Sequence, residues 1–215
     1  ERVLFAWRLA ESYRFQGKFD KAVTQLERVL SAADGIDYRD TLRLISSIYA
    51  QAKKYKEAFA SLQLAEEQHT KWAAKDAFTQ AEILAELADL SVQQDRKAEA
   101  EKLREKAAPL YKTVIENAQV GRPEIADAST AFWRLQVLYQ KSNQFRSAIK
   151  LTEQQLGEWK SNALVLPRLQ NEHGGLLALI GSYDKAQQQL STSLANLERW
   201  GITTVSNCRM IEALM

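Results

Sequence analysis

The chain has 215 residues, with 29 Lys and Arg against 27 Asp and Glu and a formal net charge of +2. This near-neutral balance carries no electrostatic footprint for nucleic acid or another polyanion. The single cysteine, Cys208, excludes an internal disulfide and suits a reducing, cytoplasmic compartment. No apolar run approaches the roughly 20 residues of a membrane span, and no signal peptide is visible.

Eight glycines and three prolines in a background of Ala, Leu, Gln, Glu and Lys predict an all-α fold. In chain order, the first helix pair carries Leu9, Ala10 and Tyr13, a break at Gln16-Gly17-Lys18, then Phe19-Asp-Lys-Ala22 and Leu26. Offsets of three, four and seven belong to a helix, and glycine tolerates the left-handed conformation that closes one. The second pair repeats the pattern with Ile45, Ser46, Tyr49, Lys53, Tyr55-Lys-Glu-Ala58 and Leu62. The third is degenerate, with Leu87, Ala88, Ser91, Asp95, Lys97-Ala-Glu-Ala100 and Arg104. In its long second helix, Pro109 predicts a kink or a break. Gly121-Arg-Pro123 separates the third and fourth copies, and Pro123 suits a first helical turn. The fourth copy reads Leu135, Gln136, Tyr139, Asn143, Phe145-Arg-Ser-Ala148 and Thr152. In the fifth, Pro167 starts or kinks a helix, and His173, Gly174, Leu177, Gly181, Tyr183-Asp-Lys-Ala186 and Leu190 follow.

Lys53, Asp95 and Asn143 thus hold the place of Gly17 and Gly181 in their turns. The spacings between phrases are 36, 42, 48 and 38 residues. Such a period signals a stacked array, because one unit cannot bury its own apolar face. The expected units are about 1–35, 36–75, 76–120, 121–160 and 161–200, with a truncated helix over 202–215. Both ends fall inside a helical pattern, which predicts a segment of a longer protein.

Leu9-Ala10-x-x-Tyr13-x-x-x-Gly17-x-Phe19-x-x-Ala22-x-x-x-Leu26 and Gly181-x-Tyr183-x-x-Ala186-x-x-x-Leu190 resemble the tetratricopeptide repeat family, in a variant longer than its usual 34 residues. The resemblance implies a right-handed superhelical solenoid of antiparallel helix pairs. It also implies that first helices line a concave face. The corresponding positions are Trp7, Glu11 and Arg14; Arg43, Ser47 and Ala50; Ala85, Asp89 and Val92; Trp133, Val137 and Gln140; and Asn171, Gly175 and Ala178. Trp and Arg are common hot-spot residues, although Trp7 and Trp133 fit helix packing equally well. The family's clamp for chaperone C-terminal carboxylates needs Lys and Asn here, and Trp7, Glu11, Arg43 and Ser47 do not supply them.

The residues of catalysis are absent. There is no Gly-rich phosphate loop, His-Glu-x-x-His or paired-Cys motif. His173 sits at a core position and His69 near a helix end, where a surface role is expected. Cys208 reads as a small packed residue, with Arg209 beside it as the one reason to suspect reactivity. Glu66-Glu67 and Glu99 to Glu105 alternate with basic residues as a solvated helix face does.

The expectation is therefore a non-enzyme needing no metal or cofactor: a scaffold or adaptor that binds a protein or peptide. Its alternative is the regulatory or sensor segment of a multidomain signalling enzyme, such as a kinase, a caspase-like protease or a nucleotide-driven switch.

Overall fold

The computed structural model describes residues 2–199 apart from 32, 74, 118–123, 159 and 161–164, and of 124–127 the backbone alone. Among the described residues are ten helices and no strand: α1 (Arg2–Phe15), α2 (Phe19–Leu30), α3 (Gly35–Gln51), α4 (Tyr55–Trp72), α5 (Ala77–Gln93), α6 (Lys97–Asn117), α7 (Glu124–Lys141), α8 (Phe145–Glu158), α9 (Leu166–Leu179) and α10 (Tyr183–Arg199). They fall into two compact units, Glu1–Leu138 and Tyr139–Met215. The linker at Gly121–Pro123, Trp159, Trp200, Cys208 and the stretch 202–215 lie outside the described residues.

The repeated phrase marks the same turn at every copy. Gly17, Lys53, Asp95, Asn143 and Gly181 all adopt positive φ, at 70°, 59°, 58°, 55° and 79°. The following N–H reaches back to close the preceding helix: Lys18 to the Tyr13 carbonyl, Lys54 to Tyr49, Arg96 to Ser91, Gln144 to Tyr139 and Ser182 to Leu177, all at 2.8–2.9 Å. This is the Schellman closure, and it satisfies carbonyls that a helix end leaves orphaned. The same residue's carbonyl then accepts from the phrase alanine, as from Ala22 to Lys18 at 3.1 Å and from Ala186 to Ser182 at 3.0 Å. One residue ends one helix and starts the next, so the pair folds back on itself. Left-handed φ strains any residue with a Cβ. Exposed Lys53→Gly is therefore expected to stabilise the chain by up to about 1 kcal/mol. A urea midpoint that stays put or falls would contradict the turn assignment.

The alanines sit at the crossings. Ala22, Ala58, Ala100 and Ala148 are fully buried, and Ala186 is nearly so. In the second pair Ser46 Oγ donates to the Ala58 carbonyl at 2.8 Å, so the two backbones approach with only a small side chain between them. The apolar clusters reach beyond single pairs. One joins Ala10, Ala22, Val23 and Leu26 of α1 and α2 to Ile45 and Ile48 of α3. The next joins Leu42, Ala58, Phe59, Leu62 and Ala65 of α3 and α4 to Ile83, Leu87 and Leu90 of α5. Each of these two pairs completes its core with the first helix of the following pair, as a stacked array requires.

The degenerate positions are absorbed locally. Arg104 bonds Glu101 within α6 and lies 3.9 Å from Asp89 on α5. Thr152 is buried and returns its hydroxyl to the Ala148 carbonyl at 2.8 Å. Pro167 lies in the first turn of α9, as expected. Of the kink or break expected at Pro109, the break does not occur: α6 runs as one helix of 21 residues. Ala100, Ala107 and Tyr111 are fully buried on both sides of it. That packing outweighs the roughly 3 kcal/mol that an internal proline costs a helix. The added length has a use, since Tyr111 stacks edge-on against Phe78 and donates its hydroxyl to Glu82 at 2.6 Å.

Candidate functional site

Within the first unit, the first helices of successive pairs stand side by side and are tied by polar side chains. Trp7 of α1 donates its indole N–H to Thr41 Oγ1 of α3 at 2.9 Å. Arg43 of α3 bonds Glu86 of α5 at 2.6 Å. Arg134 of α7 bonds Glu82 of α5 at 3.1 Å, and the same carboxylate takes the Tyr111 hydroxyl. Burial and then the Glu82 bond raise the Tyr111 phenol far above its ordinary range. Burial opposes the Arg43 charge, but the Glu86 hydrogen bond and charge more than offset it.

Between α1, α3 and the start of α5 lies a groove of about 1090 Å³. Leu4, Trp7, Phe15 and Leu44 give it an apolar surface, and Arg8, Arg39, Arg43, Glu11 and Asp40 give it charge. Leu4 and Phe15 are well exposed, Phe15 at 81%. Of the expected binding residues, the groove gathers Trp7, Glu11 and Arg43. Arg14 stands beside it, paired to Glu11 and placed over the Phe15 ring at 4.8 Å.

The other expected residues lie off this groove's walls. Ser47 is exposed and bonds its own helix at Leu44. Asp89 is exposed near Arg104. Half-buried Trp133 meets Phe132 edge-on at 4.7 Å, Val137 is exposed and Gln140 is half-buried. Asn171 departs from expectation: it is 4% exposed, because α9 is packed against both α8 and α10. The sequence reading missed Arg8, Arg39 and Thr41, which follow no repeat-position rule.

His69 is a second correction. It is not at the surface but fully buried, with Nδ1 3.2 Å from an Arg39 guanidinium nitrogen. Burial and then Arg39 hold its pKa below the ordinary 6.5. His173 is packed as expected, and burial lowers its pKa as well, against the pull of Glu153. Both histidines bind protons more weakly folded than unfolded. As pH falls through 6.5, the unfolded chain takes up protons the folded chain resists, so stability drops. Urea midpoints are expected to be lower at pH 5.5 than at pH 7.5, and the difference should shrink in His69→Gln. A difference between the two pH values that is the same in His69→Gln as in the wild type would contradict the burial of that ring.

No family model and no curated protein matches the sequence, but solved structures match its fold. The nearly identical TPR-like repeats of a kinesin light chain from Podosopora anserina align over 94% of this chain and 98% of theirs, with 18% identity and a TM-score of 0.71. The fold is the tetratricopeptide type. Aspartyl phosphate phosphatase F from Bacillus subtilis aligns over 99% of this chain and 54% of its own, with 14% identity and a TM-score of 0.66. The signal transduction ATPase with numerous domains from Pyrococcus horikoshii, which has a tetratricopeptide repeat sensor, aligns over 97% of this chain and 31% of its own, with 15% identity and a TM-score of 0.66. Among the described residues, no helix is long and apolar enough to cross a membrane. No group of three His, Cys, Asp or Glu among them is placed to hold a metal ion.

Proposed function

We propose that this chain is a non-catalytic interaction scaffold, and that the groove between α1, α3 and α5 takes a peptide or protein segment. The groove itself carries the reading. It is larger than the common range for small-molecule pockets, open, and lined by exposed apolar side chains beside arginines. The ties across it are weak enough to yield. A part-exposed ion pair such as Arg43–Glu86 contributes about 0–1 kcal/mol. A ligand carboxylate exchanging for Glu86 therefore loses little, and a segment with acidic and apolar residues interleaved fits best. A chaperone-tail clamp and a nucleic-acid partner have no support in these residues. The single cysteine suits a cytoplasmic setting.

Photo-crosslinking tests the reading. A photoreactive residue at Ser12 or Leu44 should capture the partner, and one at exposed Gln63 of α4 should not. Capture from Gln63 alone would move the site to the second helices.

A second reading, a sensor segment of a multidomain signalling protein, draws support from the alignment of 97% of this chain to part of a protein with a tetratricopeptide repeat sensor. The two readings share the groove and differ in what flanks it. Flanking sequence encoding a nucleotide-driven switch, a kinase or a protease would favour the second.

A further inference from the structure

Arg39 is both a core residue and a wall of the groove. Only 6% of it is exposed, yet it lines the cavity. Its Nε donates to Asp40 at 2.8 Å, and one terminal nitrogen lies 3.2 Å from His69 Nδ1. A guanidinium is always charged and only donates. His69 Nδ1 must therefore be the unprotonated acceptor, with its proton on Nε2.

A second proton would remove that acceptor and set two cations 3.2 Å apart. The imidazole is fully buried on α4. Arg39 borders the groove, and its other partner, Asp40, is 31% exposed. We propose that His69 and Arg39 form a proton-operated latch that holds the Arg39 guanidinium against the core or releases it into the groove. As regulation of binding this rests on the groove being the binding site; the motion itself does not.

The surroundings support this direction. From α3 the pair is faced by Asp40 and Arg43, and from the cap of α5 by Asp76. Asp76 favours the proton on His69, but its carboxylate is engaged by the Thr79 N–H at 3.0 Å. Burial, Arg39 and Arg43 all oppose that proton. At the groove mouth α1 adds Arg8 and Glu11. Release of Arg39 would shift that mixture toward positive and favour an acidic ligand at low pH.

The test is a nuclear magnetic resonance titration of the full chain from pH 8 to pH 4.5, reading the histidine rings and the Arg39 Nε–H signal, with His173→Gln used for assignment. In the wild type, His69 should titrate below the ordinary histidine range while helical ellipticity holds. The Arg39 Nε–H signal, protected at neutral pH by Asp40, should be lost over the same interval. Arg39→Gln should raise the His69 midpoint. His69→Gln, which keeps an acceptor, should hold Arg39 protected at every pH. The latch is overturned by an unchanged midpoint in Arg39→Gln, by an Arg39 signal indifferent to His69, or by loss of helix before His69 titrates. No ligand is used, so failure of the latch leaves groove binding standing, and failure of groove binding leaves the latch result intact.

Discussion

Replacing Ala186 with leucine is expected to destabilise the chain by about 1–3 kcal/mol. Ala186 opens α10 at its crossing with α9, and this is a tight approach. A Cβ built on Gly174 of α9 would lie 3.2 Å from the Ala186 carbonyl oxygen and 2.7 Å from Leu190 Cγ. Leu190 is itself buried, so it has little room to give way. Three added carbons at position 186 must push the helices apart or force neighbours off their rotamers. Gly174→Ala should destabilise from the other side of the crossing. Its gain of up to about 1 kcal/mol in helix propensity is set against the clash with Leu190. For a chain of this size each kcal/mol moves the melting temperature by roughly 2–4 °C. An unchanged melting temperature in Ala186→Leu would show that the helices do not cross there.

The second large effect is on binding. Trp7→Ala should weaken a groove ligand by about 2 kcal/mol, close to 30-fold. The indole is half-buried and held by Thr41, so it is pre-positioned and loses little freedom when a ligand covers it. Trp7→Phe separates the two contributions by keeping the ring face and losing the Thr41 bond. Arg43→Ala should also weaken an acidic ligand, and that loss should shrink at high salt. Trp133→Ala is the companion test on α7, where repeat position alone suggests a contact. Titration with an identified partner peptide checks each variant, after its ellipticity shows it is folded. Unchanged affinity in both Trp7→Ala and Arg43→Ala would remove the groove from the account.

The turns were the most legible part of the sequence, because they are local. A left-handed residue must stand between the end of one helix and the next phrase, and spacing alone places Lys53, Asp95 and Asn143 there. The crossing alanines were legible for the same reason. Three features were hidden by longer-range packing. His69 looked like a surface residue near a helix end, but α4 runs 18 residues, and its last turns lie against Arg39 of α3. Pro109 reads as a kink or a break, but α6 continues through it, and the residues buried on either side of it pack against another helix. The ties across the groove join Trp7 to Thr41 and Arg43 to Glu86, 34 and 43 residues apart. No helical offset reveals such partners; they emerge only when stacking sets one first helix beside the next. The groove residues Arg8 and Arg39 were missed for that reason.

A bound segment should touch the groove itself. Trp7 and Trp72 each carry an indole N–H, and they differ in place: Trp7 faces the groove, while Trp72 ends α4, 59% exposed. An isotope-labelled chain titrated with its partner peptide, with Trp7→Phe to assign the signal, should show the Trp7 indole resonance shifting at saturation and that of Trp72 staying in place. A shifted Trp72 with Trp7 unmoved would contradict it.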